Sequence, residues 1–172
     1  MLGSFFTVFQ NITWEPYQKF LHNSHIYDII TIVPHFTTDM LGLYMAFSIG
    51  YRASHNLNIG EHAFTTGLMS AVSFMILTPL NTKLLPGSNF IDQSFLGSKG
   101  IFTAILVSIV TAEIMKFFIK KDIVIKLPEG VPPMVMKTFT ALIPVMFLGT
   151  LFSIIKVLFT LTPFNTFTEF VY

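Results

Sequence analysis

Few side chains in this 172-residue chain could carry out chemistry in an apolar setting. Glu113 stands near the end of the apolar run 100–119. An ionisable group in such a run is a functional candidate by default. Lys116 and Lys120 follow on the same helix face, so an ion pair near the interface accounts for Glu113 equally well. Lys156, towards the end of the last apolar run, reads as a lysine that snorkels outwards. The histidines are His22, His25, His35, His55 and His62. His22 and His25 are three residues apart, a spacing that could bring two imidazoles to one metal, but no third ligand is placed to join them, and no metal site is expected. Asp39, next to Thr37 and Thr38, reads as the cap of the helix it opens. Gly97-Ser-Lys-Gly100 lacks the first glycine of a phosphate loop, and no nucleotide-binding loop, nucleophile elbow or carboxylate pair is present. These residues therefore assign no catalytic side chain, no substrate-binding side chain and no cofactor.

The most distinctive local pattern is Leu127-Pro-Glu-Gly-Val-Pro-Pro133. Three prolines and a glycine in seven residues exclude a helix or a central strand. Glu129, Gly130, Val131, Pro132 and Pro133 are read as a stiff elbow, its last proline opening the next helix. The elbow is either a plain turn or a fixed platform for a partner or a moving domain. It belongs to the most basic stretch of the chain, Lys116 to Pro133, which has a long apolar run on each side.

The elements that must hold these residues are membrane helices. Hydrophobic residues make up 52% of the chain and charged residues only 11%, with 20 phenylalanines. The mean hydropathy is +0.68. Soluble domains carry about 25% charged residues, so the deficit points to lipid as the solvent. A net charge of +1 gives no footing for nucleic acid, and the lack of cysteine excludes disulfides and thiolate chemistry. No cleavable leader is expected, because Met1 to Gln10 has neither a basic start nor a small-residue cleavage site.

A helix needs about 20 apolar residues to cross a bilayer. Leu2 to Phe9 is too short and reads as the back part of a helix. Asn11 to Thr38 mixes aromatic and polar residues around Pro16 and Pro34. It reads as an interfacial loop with a short helix around Pro16 to His25. Four spans follow: Thr38 to Ala53, short but expected to span with tilt, then His62 to Leu80, Gly100 to Ile119, and Lys137 to Leu161 with Pro144 inside it. The expected fold is all-α, a polytopic membrane bundle of about four full transmembrane helices plus a partial N-terminal one. One side collects Arg52, Lys116, Lys120, Lys121, Lys126 and Lys137, the other Lys19, Lys83 and Lys99. Basic residues in short loops stay cytoplasmic, which places 116–133 inside and 81–99 outside.

Small residues recur every fourth position in these spans. They are Gly42, Ala46, Gly50 and Ser54; Ala63, Gly67 and Ala71; Gly100, Ala104, Ser108 and Ala112; and Ala141, Gly149 and Ser153, with Val145 interrupting the last series. Such stripes let helix backbones approach closely in lipid. The spacing leaves open whether the partner helix is in the same chain or a second copy.

Three segments carry a resemblance: Phe95-Leu-Gly-Ser-Lys-Gly-Ile-Phe-Thr-Ala-Ile105, Ile123-Val-Ile-Lys-Leu-Pro-Glu-Gly-Val-Pro-Pro133 and Phe139-Thr-Ala-Leu-Ile-Pro144. With Leu41 to Tyr51, they resemble the membrane component, enzyme IIC, of sugar phosphotransferase systems, in the lactose, cellobiose and chitobiose branch. The similarity extends over essentially the whole chain. It implies a homodimeric, multi-pass permease of the bacterial cell membrane with ten helices per subunit. The first five would form a dimerisation scaffold and the last five the sugar-binding part. The permease would translocate a β-linked, cellobiose-like disaccharide, phosphorylated by a soluble IIB partner that carries a phosphocysteine, its phosphate supplied by a IIA component. On this resemblance residues 1–172 are expected to form one membrane domain, the scaffold half. The chain would begin inside the first helix at Leu2-Gly-Ser-Phe-Phe6 and stop after the fifth. Glu113 and the 129–133 elbow match family positions in that half, whereas the family's sugar-binding histidine and glutamate belong to the other. The alternative is a membrane dimerisation module, or a truncated remnant, that does not transport. An intramembrane enzyme is a third reading, opposed by the lack of an inward-facing catalytic set.

Overall fold

The computed structural model of the chain describes residues 2–23, 26–81, 90–91, 93–125, 133–161, 167 and 170. Among these residues seven α-helices follow one another: α1 (Leu2–Gln10), α2 (Glu15–Asn23), α3 (Ile26–Thr37), α4 (Leu41–Asn56), α5 (Ala63–Leu77), α6 (Ile101–Lys120) and α7 (Pro133–Thr160). Among the described residues the only strands are two-residue segments, β1 (Leu80–Asn81) and β2 (Phe90–Ile91). They pair antiparallel with Leu80 opposite Ile91. The architecture is the expected all-α polytopic bundle.

Helices α4, α5 and α6 pack on one another, and α7 lies against α5 with a lesser contact to α6. Phe74, Leu77, Ala104, Val107 and Met115 form the centre of the core, joined by Leu148 and Phe152 from α7. Ser98–Lys120 and Phe139–Thr160 are long and apolar enough to cross a membrane. Helices α4 and α5 have 16 and 15 residues. At 1.5 Å per residue each spans about 22–24 Å, less than the hydrocarbon thickness of roughly 30 Å. Tilt shortens reach, so it cannot accommodate them. Local thinning of the bilayer, or a surround of longer helices, can.

The same device ends α4 and α6. Asn58 and Asp122 adopt left-handed backbones, with φ of 58° and 57°. After α4, the Asn58 N–H bonds to His55 O and the Ile59 N–H to Ser54 O. After α6, the Asp122 N–H bonds to Ile119 O and the Ile123 N–H to Phe118 O. These are Schellman closures, which satisfy carbonyls that the last helical turn would otherwise leave without partners. A short polar side chain is the usual substitute for glycine at this position.

The N-terminal region departs from expectation. Residues 11–38 hold two helices where an interfacial loop with one short helix is expected. Helix α2 lies close to the anticipated short helix, and α3 is the addition. The prolines do not break the helices as assumed. Pro16 lies in the first turn of α2, where its missing N–H has no intrahelical partner to lose. Pro34 sits near the end of α3, so few turns depend on the bond it removes, and its carbonyl still accepts the Thr38 N–H at 2.8 Å. Helix α3 packs on α1, where the Cα of Gly3 abuts the side chains of Thr37 and Thr38.

Candidate functional site

The small-residue stripes organise the centre of the bundle. Gly42, Ala46, Gly50 and Ser54 are the buried residues of α4. Ala104, Ser108 and Ala112 are buried on α6, and Gly100 just before it. On α5, Ala63 and Gly67 are buried and Ala71 is half-buried. A Cβ on Gly50 would collide with the side chain of Ser70 on α5, and one on Gly67 would lie 3.0 Å from the Phe47 ring and the Phe47 carbonyl. The α4–α5 crossing is thus set by two backbones in close approach.

Hydroxyls line this interior, and most need no water. Ser54, Thr66, Ser70 and Thr78 are buried, and each donates to the carbonyl four residues earlier. Ser108 reaches further. Its hydroxyl lies 2.6 Å from Ala104 O and 2.8 Å from Ala46 O, so one proton is shared between its own helix and α4. Ser73, Thr103 and Thr111 are buried hydroxyls with no hydrogen-bond partner.

Among the charged candidates, Glu113 pairs with Lys116 at 2.9 Å, with its side chain about half exposed. The pair sits on the outer side of α6, away from the core. Lys156 behaves differently from expectation. It does not extend away from the bundle: its ammonium donates to Thr78 O at 3.3 Å, at the C-terminus of α5. Position 156 lies on the side of α7 that faces α5. The last carbonyls of a helix carry partial negative charge, which draws a nearby cation inwards. Asp39 is no helix cap. Met40 occupies the cap position of α4 without a side-chain bond, and the Gly42 N–H is met by Leu96 O at 2.7 Å. A neighbouring loop carbonyl does the work expected of a carboxylate, and Asp39 accepts from His35 Nδ1 at 2.7 Å instead.

Gly97 to Gly100 form a 3₁₀ turn against the start of α4, with Gly97 closely apposed to the Asp39 backbone. Thr38, Asp39, Ser94, Ser98 and Lys99 line an open polar crevice of about 390 Å³ there. Its halves lie some sixty residues apart, so no local motif announces it. Of the elbow, Glu129, Gly130, Val131 and Pro132 lie outside the described residues, and Pro133 opens α7. The side chains of His22 and His25 are likewise outside them. Among the described residues no cluster of three or more His, Asp or Glu side chains could hold a metal.

Among the described residues, this arrangement sets helices against one another. The sequence model of the family "Phosphotransferase system, EIIC" matches residues 1–171. The chain belongs to the EIIC family of the phosphotransferase system. EIIC proteins are integral membrane permeases, which accounts for the composition and for the long apolar helices. The lichenan permease IIC component of Bacillus subtilis (strain 168) is 30% identical, over 96% of this chain and 39% of its own length. The cellobiose-specific EIIC component of Geobacillus stearothermophilus is 34% identical, over 78% of this chain and 31% of its own. In structure, the chain is similar to the transporter ChbC, the IIC component of the N,N'-diacetylchitobiose-specific system. The TM-score is 0.87 at 28% identity, covering 98% of this chain and 41% of that one. The chain thus spans about two-fifths or less of the length of these relatives.

Proposed function

We propose that this EIIC chain is the scaffold and dimerisation half of a sugar permease in the bacterial plasma membrane, crossing it several times as a homodimer. The permease takes up a β-linked disaccharide of the cellobiose type and couples uptake to phosphorylation by a cytoplasmic IIB protein, which a IIA component recharges. The observation that carries this reading is the match to ChbC along 98% of the chain. The substrates named for the relatives, cellobiose, lichenan and diacetylchitobiose, support a β-linked sugar. We place the sugar site outside these 172 residues, because the resemblance assigns the sugar-binding histidine and glutamate to the other half of the permease.

A second reading is a membrane dimerisation module without transport of its own, favoured by the small-residue faces that pack α4, α5 and α6 on one another. Uptake of radiolabelled cellobiose separates the two. Cells expressing residues 1–172 alone should take up none above background. Co-expression with the rest of a related EIIC should restore uptake if the chain is a working half. Continued failure favours the module. Robust uptake by the chain alone would overturn our placement of the sugar site. Topology is tested with a cysteine at Asp122 in this cysteine-free sequence. It should be shielded from an impermeant thiol reagent in intact cells and labelled in inverted vesicles. The opposite pattern would invert the orientation.

A further inference from the structure

We propose that the groove at the C-terminal end of α6 binds the headgroup of an anionic phospholipid. Residues 113, 116, 117 and 120 fall on one face of α6 by helical spacing, and Lys121 follows at its C-terminal end. The opposite face is filled by Thr111 and Met115, both buried. Glu113, Lys116, Phe117, Lys120 and Lys121 bound an open groove of about 270 Å³. Three ammonium groups there meet one carboxylate, and that carboxylate is engaged by Lys116. The Lys121 ammonium lies 4.9 Å from the centre of the Phe117 ring. Lys120 and Lys121 have no ion-pair partner among the described residues. The groove therefore carries excess positive charge, complementary to a phosphodiester.

A second feature makes a lipid the occupant, and not a free phosphate. At Glu113 the groove adjoins a crevice of about 210 Å³ between the end of α4 and the middle of α6, where Ala53, Leu57, Ile109 and Ala112 stand with Asn56 and Glu113. Ile109 and Phe117 are about half exposed, at 48% and 50%, so this wall is apolar and open. A charged end beside an apolar slot matches a phosphate on a glycerol with acyl chains. The location fits as well: lysines at the end of a spanning helix reach headgroup height, and basic pockets between helices select anionic headgroups. At the other end α6 is preceded by Lys99 alone.

The inference rests on the membrane reading, and the test separates the two. The 172-residue chain is purified in mild detergent, offered phosphatidylglycerol and phosphatidylcholine in equal amounts, and examined by native mass spectrometry. Phosphatidylglycerol should be retained preferentially. K120Q should weaken its retention about fivefold and K120Q/K121Q about 25-fold, at unchanged Tm. The charge-matched K19Q/K99Q control should retain it like the unaltered chain. Equal loss in both double variants would mean bulk charge and overturn the site. Displacement by millimolar inorganic phosphate, with no dependence on acyl chains, would make it a free-anion site and overturn the lipid. Loss of dimer in K120Q/K121Q would assign the groove to a second copy, and lipid-independent capture of IIB to a protein partner. Either overturns the proposal. A chain that stays soluble without detergent and does not enter vesicles would overturn the membrane reading and the inference together.

Discussion

Helices α6 and α7 read almost alike in sequence and end up in different surroundings. Both are long and apolar enough to cross a membrane, and both carry small residues at four-residue spacing. Yet within an 18-residue window of each, 44% of α6 is buried, against 17% of α7. On α6, Ala104, Ser108 and Ala112 all face the interior. On α7, Ala141 is buried, but Ser153 is exposed, and a Cβ on Gly149 would meet nothing within 4 Å. A small-residue stripe permits close packing; it does not say which helix will use it. Lys156 and the core residues Leu148 and Phe152 hold α7 against the bundle and leave the far end of its stripe open.

The largest test of this contrast enlarges both stripes. Ala104→Leu and Gly67→Leu should each destabilise the bundle by about 1–3 kcal/mol, because a bulky side chain forces packed helices apart. Gly149→Leu should change the monomer's stability by about 0.5 kcal/mol or less. Thermal unfolding in detergent reads all three. Equal losses at 104 and 149 would mean that the α7 stripe is buried by a second copy under those conditions. If 67 and 104 tolerate leucine, the packing argument fails.

A smaller effect is expected at the hydroxyls. Ser108→Ala removes the bond to Ala46 O and should cost about 0.6–1.7 kcal/mol, the range for bonds between membrane helices. Ser153→Ala removes only a bond within α7, to Gly149 O, and should leave the melting curve in place. A shift at 153 as large as at 108 would break the comparison. The smallest effect is at Glu113. Its pair with Lys116 is exposed and within one helix turn, so Glu113→Gln should cost about 0.5 kcal/mol or less. A loss of several times that would mean that Glu113 has a partner beyond Lys116 in the folded protein.

Periodicity and composition made the bundle legible in advance. The scarcity of charge identified lipid as the solvent, and the i, i+4 small residues lay on the faces of α4 and α6 that turn out buried. The Glu113–Lys116 pair was also open to sequence reasoning, because one helix turn fixes its geometry. Helix α3 is not legible in the same way, because residue type marks Pro34 as a breaker, whereas its place near the helix end makes it tolerable. Nor was the Leu96 carbonyl that serves the start of α4, the Ala46 carbonyl that shares the Ser108 proton, or the inward turn of Lys156.

By itself, then, the sequence determined what depends on neighbours within a turn or two: the helices from α4 onwards, their apolar character, their small-residue faces and the basic end of α6. Tertiary structure alone decided what depends on groups far apart in the chain. It set α6 at the centre and α7 at the edge, brought residue 156 to residue 78, and built the start of α4 on the loop before α6. The physical reason is range. Helix geometry fixes a contact four residues away whatever surrounds it. A contact sixty or eighty residues away exists only once the competing ways of packing the same apolar faces have been resolved.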